Sequence, residues 1–215
     1  MKTKKNKILI SGGLGTLGML FANRLRSLND ITIIDNLSNS SIGKAAEMEK
    51  FGISVFLEDT RRRKKICKDF NIVFHLAAHV DINNSHSDPI SDASNNIIGT
   101  IALIKNYPTN RFVYFSTEDV YGKVKLATED SRPDPETPYG FSKLGGEVYV
   151  RMLCKDYLIL RIAEQLKDLN SFVESVVSLV ERDIKGTVNI GDSSKISCQK
   201  LNNLMPFEKN EKNRH

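Results

Sequence analysis

Cysteine is scarce in this sequence. Cys67, Cys154 and Cys198 are the three in 215 residues, widely separated and without metal-ligand spacing. That argues against a disulfide scaffold or a cysteine metal centre, and for buried or free thiols in a reducing compartment. Long apolar runs are missing as well: none approaches the ~20 residues needed to cross a bilayer. The opening MKTKKNKILIS reaches glycines before an apolar stretch long enough for a signal segment. A cytoplasmic protein with no membrane partner is expected. Repeats, low-complexity blocks and clear linkers are also absent. The net charge of +5 is concentrated partly in Lys2–Lys7 and in Arg61-Arg62-Arg63-Lys64-Lys65. Neither run is interleaved with aromatics or belongs to a nucleic-acid motif, so each reads as a solvated face and no nucleic-acid partner is expected.

What is present is a hydrophobic content of 40% with 27% well-mixed charge, enough for the core of one domain of generous size. Short apolar runs alternate with helical patterns. Strands are expected at 7–11, 31–35, 53–59, 72–78, 111–116, 157–162 and 186–191. Helices are expected from the glycines at 12–18 to about Leu28, and around 43–51, 89–106, 138–155 and 171–183. The runs are rich in Ile and Val and apolar on both sides, which marks a parallel sheet covered on both faces. The fold class is therefore α/β, a doubly wound parallel sheet of the Rossmann type.

SGGLGTLG (11–18) lies between the first strand and the first helix. It fits Gly13-x-Gly15-x-x-Gly18 and Gly12-x-x-Gly15-x-x-Gly18 at once. Glycines there permit a tight turn and close approach of backbone to a pyrophosphate, and the following helix start offers unpaired N–H groups. Asp35 ends the second strand about 20 residues on, where a carboxylate accepts from ribose hydroxyls and repels a 2′-phosphate. This set predicts a dinucleotide site that favours NAD over NADP.

TPYGFSK (137–143) places Tyr139 and Lys143 four apart on a helix, hence on one face. Tyrosine, with a pKa near ~10, is a poor base at neutral pH. A neighbouring ammonium and the positive nicotinamide of NAD⁺ would stabilise the phenolate. A shift of about three units corresponds to ~4 kcal/mol. Beside a dinucleotide site the pair is expected to be catalytic.

SGGLGTLG, DNLSNS (35–40), EDT (58–60), FHLAAHVDINNSHSDP (74–89), NNIIGT (95–100), FSTEDVYG (115–122) and PYGFSKLGGE (138–147) occur in one order and spacing. The chain in this respect resembles the extended short-chain dehydrogenase/reductases, in particular the NAD-dependent nucleotide-sugar epimerases and dehydratases of the UDP-glucose 4-epimerase type. The resemblance implies that Gly12, Gly15, Thr16, Leu17 and Gly18 meet the pyrophosphate. Asp35 and Asn36 would meet the adenosine ribose, and Asp59 and Thr60 the adenine. Leu76, Ala77 and Ala78 would line the nicotinamide side, with Asn95 supporting the cofactor. It implies catalysis by Thr117, Tyr139 and Lys143, with UDP- or dTDP-hexoses as substrates and a homodimer as the working form.

Glu118 and Asp119 stand where the related 4,6-dehydratases carry an acid–base pair, in reversed order, and are candidates for that role. His75 is expected to be structural, and His79 to lie near the substrate mouth. After the sixth strand the family continues Arg-x-x-Asn-x-Tyr-Gly-Pro and then a long substrate segment. Here Arg161 remains, Glu164 replaces the Asn, and the chain passes directly to SFVESVV. The expected organisation is a NAD-binding domain over 1–162, a reduced C-terminal substrate lobe over 163–207 and a flexible tail over 208–215. Three functions stay open: a nucleotide-sugar epimerase, a 4,6-dehydratase, and a NAD-binding regulatory protein with a relict site.

Overall fold

The computed structural model describes residues 5–62 and 69–204. Cys67, the basic residues 63–65, Lys2–Lys4 and the tail beyond 204 lie outside the described residues. Seven strands form one sheet, all pairs parallel, in the order β3-β2-β1-β4-β5-β6-β7. They are β1 (Lys7–Ser11), β2 (Asp30–Asp35), β3 (Ser54–Leu57), β4 (Phe70–His75), β5 (Thr109–Thr117), β6 (Tyr157–Ile162) and β7 (Gly186–Ile190). The expected doubly wound sheet is thus present. Strand order reverses between β1 and β4, which opens a crevice at their carboxyl ends where such sheets bind ligands.

Alternate side chains of each strand feed two cores. Ile8 and Ile10 of β1 join Phe74, Val113, Phe115, Leu158 and Leu160 under α1 (Thr16–Leu25), α2 (Ile42–Lys50) and α7 (Leu169–Glu181). Leu9 joins Ile34, Val73, Phe112 and Ile159 on the other face, under α5 (Gly99–Asn106) and α6 (Pro138–Leu153). A cluster of Phe21, Phe74, Phe115 and Phe172, with ring centres 5.4–6.4 Å apart, seats α1 and α7 on the sheet. The edge-on pairs among them, Phe21–Phe115, Phe21–Phe172 and Phe115–Phe172, add roughly 0.5–1.5 kcal/mol each beyond burial.

The expected helix over 89–106 is not uniform. It comprises α4 (Pro89–Ala93), a π-helical turn (Ser94–Ile98) and α5. The preceding polar stretch, expected as loop, contains the short α3 (Ile82–Ser87), capped by Asp81 accepting from Asn84 N–H. Residues 163–168 join β6 directly to α7, which packs on α1, and β7 pairs with β6. The sheet therefore runs on past Ile162. A last short helix, α8 (Gln199–Leu204), packs near β7. No helix of the described residues is long and apolar enough to cross a membrane.

Candidate active site

A cleft of about 640 Å³ opens at the carboxyl ends of the strands. Its floor is the glycine loop. Gly12 has φ +69°, and a Cβ there would sit 2.7 Å from the Ala77 nitrogen. A Cβ on Gly18 would sit 2.4 Å from the Gly12 carbonyl oxygen, so α1 can approach the loop only through glycine. Gly15 caps α1 without a side-chain acceptor, and the first turn carries no acid. The N–H groups at Thr16 and Leu17 thus face the cleft with the helix dipole behind them, a fit for a diphosphate.

Asp35 ends β2 and is buried. Its Oδ2 accepts from Leu14 N–H at 3.0 Å, and its Oδ1 from Leu37 N–H at 2.9 Å and Ser40 Oγ at 2.8 Å. Leu37 adopts φ +61° to present that N–H. Of these donors only the Ser40 hydroxyl swings on a side chain, so a ligand hydroxyl can share or replace it. Asn36 accepts from Ser38 N–H. Further along, Asp59 is held below the usual carboxylate range by its hydrogen bonds to Arg61. The same guanidinium reaches Ser94 Oγ at 3.0 Å on the π turn. Thr60 lies between them on the cleft wall.

Leu76, Ala77, Ala78 and His79 leave β4 to form the opposite wall, with Asn95 projecting from the π turn. The Asn95 amide donates to Ser91 O at 2.8 Å. π turns recur at functional sites because the extra residue re-aims side chains. Thus Gly12, Gly15, Thr16, Leu17, Gly18, Asp35, Asn36, Asp59, Thr60, Leu76, Ala77, Ala78 and Asn95 line one cleft with Tyr139 and Lys143.

Thr117, which is not part of the cleft lining but is hydrogen-bonded with Tyr139, finishes β5 and caps a 3₁₀ turn (Glu118–Tyr121), its Oγ1 accepting from Asp119 N–H. Tyr139 sits in the first turn of α6, where Pro138 and the Thr137 cap start the helix. Tyr139 is 8% exposed and Lys143 3%. Burial pushes the Tyr139 phenol well above its usual range. The Asp119 and Asp92 carboxylates add to this, and a hydrogen bond with Thr117 pulls the other way. Burial likewise lowers Lys143 to about 8, against the upward pull of Glu147 and Asp92. Its ammonium stands 4.4 Å from the centre of the Tyr114 ring. Thr117 is the group that lowers the phenol here; the relief expected from Lys143 is not among the influences on it.

The two candidate acids diverge. Glu118 is 1% exposed, and its Oε1 accepts from Glu164 N–H at 3.0 Å. Asp119 is more open, 3.3 Å from Thr117 Oγ1 and 3.4 Å from Lys195 Nζ. Neither is part of the cleft lining; Tyr139 feels the field of Asp119. Glu164 is exposed. His75 is buried between Ser11 Oγ and Thr100 Oγ1 at 2.7 and 2.8 Å. Burial and then Lys143 lower it to about 3, so it stays neutral. Burial raises the Cys154 and Cys198 thiols to about 11, which leaves them inert. Among the described residues no His, Cys, Asp or Glu cluster could hold a metal.

Several site residues escape sequence reasoning. Glu147, one turn beyond Lys143, binds Arg161 at 2.9 and 2.7 Å and also engages Ser116 and Arg151. Asn96, next to Asn95, clamps both His79 N–H and His79 C=O. The Asp92/Asn96 spacing of one helical turn was the available signal for the latter.

The sequence profile of the "NAD dependent epimerase/dehydratase family" matches residues 8–190. A putative UDP-glucose 4-epimerase of Methanocaldococcus jannaschii is 31% identical over 166 residues, covering 72% of this chain and 54% of that protein. A dTDP-D-glucose 4,6-dehydratase of Dictyostelium discoideum is 28% identical over 204 residues, covering 80% and 46%. The chain thus spans about half the length of the curated relatives it matches. Among solved structures, the UDP-glucose 4-epimerase of Thermus thermophilus in complex with NAD superposes with a TM-score of 0.75 at 21% identity, covering 91% of this chain and 80% of that one. With a match that runs from β1 to β7 through the glycine loop and the Tyr139–Lys143 helix, the chain belongs to the NAD-dependent epimerase/dehydratase family.

Proposed function

We propose that this chain is the cofactor-binding and catalytic part of a NAD-dependent nucleotide-sugar epimerase that works by transient oxidation at sugar C4. The observation that carries it is that Tyr139, hydrogen-bonded with Thr117, and Lys143 line a cleft whose glycine floor and Asp35 fit a dinucleotide. NAD⁺, when bound, would supply the hydride acceptor for sugar C4 and, once reduced, the hydride for the opposite face. Gly12, Gly15, Thr16, Leu17 and Gly18 would hold the pyrophosphate, Asp35 and Asn36 the adenosine ribose, and Asp59 and Thr60 the adenine. Leu76, Ala77, Ala78 and Asn95 would flank the nicotinamide end.

Tyr139 removes the proton of the C4 hydroxyl while Thr117 orients that oxygen, and Lys143 lends positive charge to the phenolate. Burial and two carboxylates otherwise hold the phenol protonated. A cation entering the cleft would favour the phenolate, which couples base strength to oxidised cofactor. The dehydratase reading draws on relatives of that activity. It requires two carboxylates at neighbouring sugar carbons. Glu118 is turned inward onto Glu164 N–H, which leaves Asp119 alone and supports the epimerase. The substrate is a UDP- or dTDP-hexose.

A homodimer is proposed from one face of α4, the π turn and α6, where Ile90, Ile98, Phe141 and Met152 are 82%, 52%, 60% and 72% exposed. Proton NMR of the protein with NAD⁺ and UDP- and dTDP-hexoses tests the function. A C4 epimer is the expected product. A 4-keto-6-deoxy sugar would transfer the assignment to the dehydratase. No conversion despite NAD⁺ binding would favour a regulatory protein with a relict site.

A further inference from the structure

His79 and Asp92 lie on and behind the cleft wall; His79 has no part in the mechanism above, and Asp92 enters it only through its field on Tyr139. Asp92 is 1% exposed on α4, which packs against α6. Its Oδ1 accepts from the Asn96 amide at 3.1 Å, while its Oδ2 is buried with no hydrogen-bond partner among the described residues. His79 Nδ1 is also buried without a hydrogen bond, 3.8 Å from Asp92 Oδ1. The His79 residue lines the cleft. An unsatisfied ring nitrogen thus stands 3.8 Å from one oxygen of a carboxylate whose other oxygen has no donor, and a carboxylate out of water with one amide donor is costly until it gains another. Asn96 clamps the His79 backbone at both N–H and C=O. The backbone of His79 is thereby fixed beside Asp92, and the remaining freedom is that of the imidazole.

The pair is tied to the catalytic helix. The Asn96 amide also lies 2.9 Å from Ser142 Oγ, which donates to the Tyr139 carbonyl at 2.9 Å. Two carboxylates act on the Tyr139 phenol, Asp119 and Asp92. Each has one basic side chain within 4 Å among the described residues: the Lys195 ammonium for Asp119 and the His79 imidazole for Asp92. The other charged or titratable neighbours are Lys143 and Glu147 on α6, Tyr114 on β5 and His75 on β4.

We propose that His79 and Asp92 form one hydrogen-bonded acid–base pair, Nδ1–H donating to the carboxylate, set behind Tyr139 as a second charge source beside Lys143. It rests on the reading of Tyr139 as the base. Both are positioning residues. Asp92 strengthens the hold of the phenol on its proton, and His79, by sharing the charge of Asp92, weakens that hold. Ligands that move His79 in the cleft wall thereby alter the base.

Tyrosine carrying ¹³C at Cζ gives the test, with the Tyr139 signal identified by its loss in Tyr139→Phe and pH titrations run on NAD⁺-loaded and cofactor-free protein. Asp92→Asn is expected to lower the Tyr139 midpoint by on the order of one pH unit, and His79→Gln to raise it. Because His79 acts through Asp92, the double variant should match Asp92→Asn alone. No movement in either variant, movement in one direction for both, or simple additivity would overturn the pairing. If Asp92→Asn does not fold, His79→Gln and His79→Asn decide: a rise supports the pair and no change refutes it. Failure of the unaltered protein to bind NAD⁺ would count against the functional reading, while the cofactor-free titration still decides the pair.

Discussion

At the scale of single residues, Tyr139 and Lys143 carry opposite risks. Tyr139→Phe removes the phenol from a position governed by electrostatics, not packing. Turnover should fall by ~10²–10⁴, with NAD⁺ affinity by fluorescence titration changed little. Lys143 is buried with its ammonium lowered to about 8. Between that value and its unfolded value of 10.5 the unfolded chain binds more protons than the folded one. Stability therefore rises with pH across that window, and below it the folded protein bears the full cost of the buried cation. Lys143→Met should accordingly be inactive yet melt higher at neutral pH, an expectation that thermal denaturation checks. Gly18→Ala tests the floor of the cleft: its methyl would lie 2.4 Å from the Gly12 carbonyl. A loss of about 1–3 kcal/mol in urea unfolding, with weakened NAD⁺ binding, is expected.

At the scale of elements, α6 does two jobs with one face. Its first turn offers Tyr139, its second Lys143, and its third offers Glu147 to the buried Arg161 of β6 and to Arg151. Burial would raise the Glu147 carboxyl, but the Arg161 bonds outweigh it and hold the group below its usual value of 4.5. Its stabilisation is complete above that value and is lost as pH falls through the lower folded one. Glu147→Gln should cost about 3–5 kcal/mol at neutral pH and flatten the acid limb of the stability–pH curve, measured by chemical denaturation. All seven strands were legible from apolar runs bounded by turn residues, and so was the glycine loop, because each signal is local. The π turn, α3 and α8 were not. Six mostly polar residues in each of α3 and α8 give too little periodicity to see, and a π turn is one residue of misphase in an otherwise helical pattern. Contacts such as Asp119–Lys195, Arg61–Ser94 and Asp92–His79 depend on segments brought together only by the sheet.

At the scale of the whole molecule, the exposed apolar face of α4 and α6 predicts association. Met152→Glu with Phe141→Arg should shift sedimentation toward monomer if this face pairs two copies, and leave it unchanged if it does not. The sheet order bears on how the chain acquires its structure. β1 lies between β2 and β4, and Ile8 of β1 faces Ile72 of β4, 64 positions later in the chain. Until β4 emerges from the ribosome, β1 has a bare apolar edge, and closing that long loop is slow compared with forming a helix. Nascent chains halted before residue 70 would present an open, sticky ribbon. Chaperone demand should therefore peak early in synthesis, well before the catalytic helix exists.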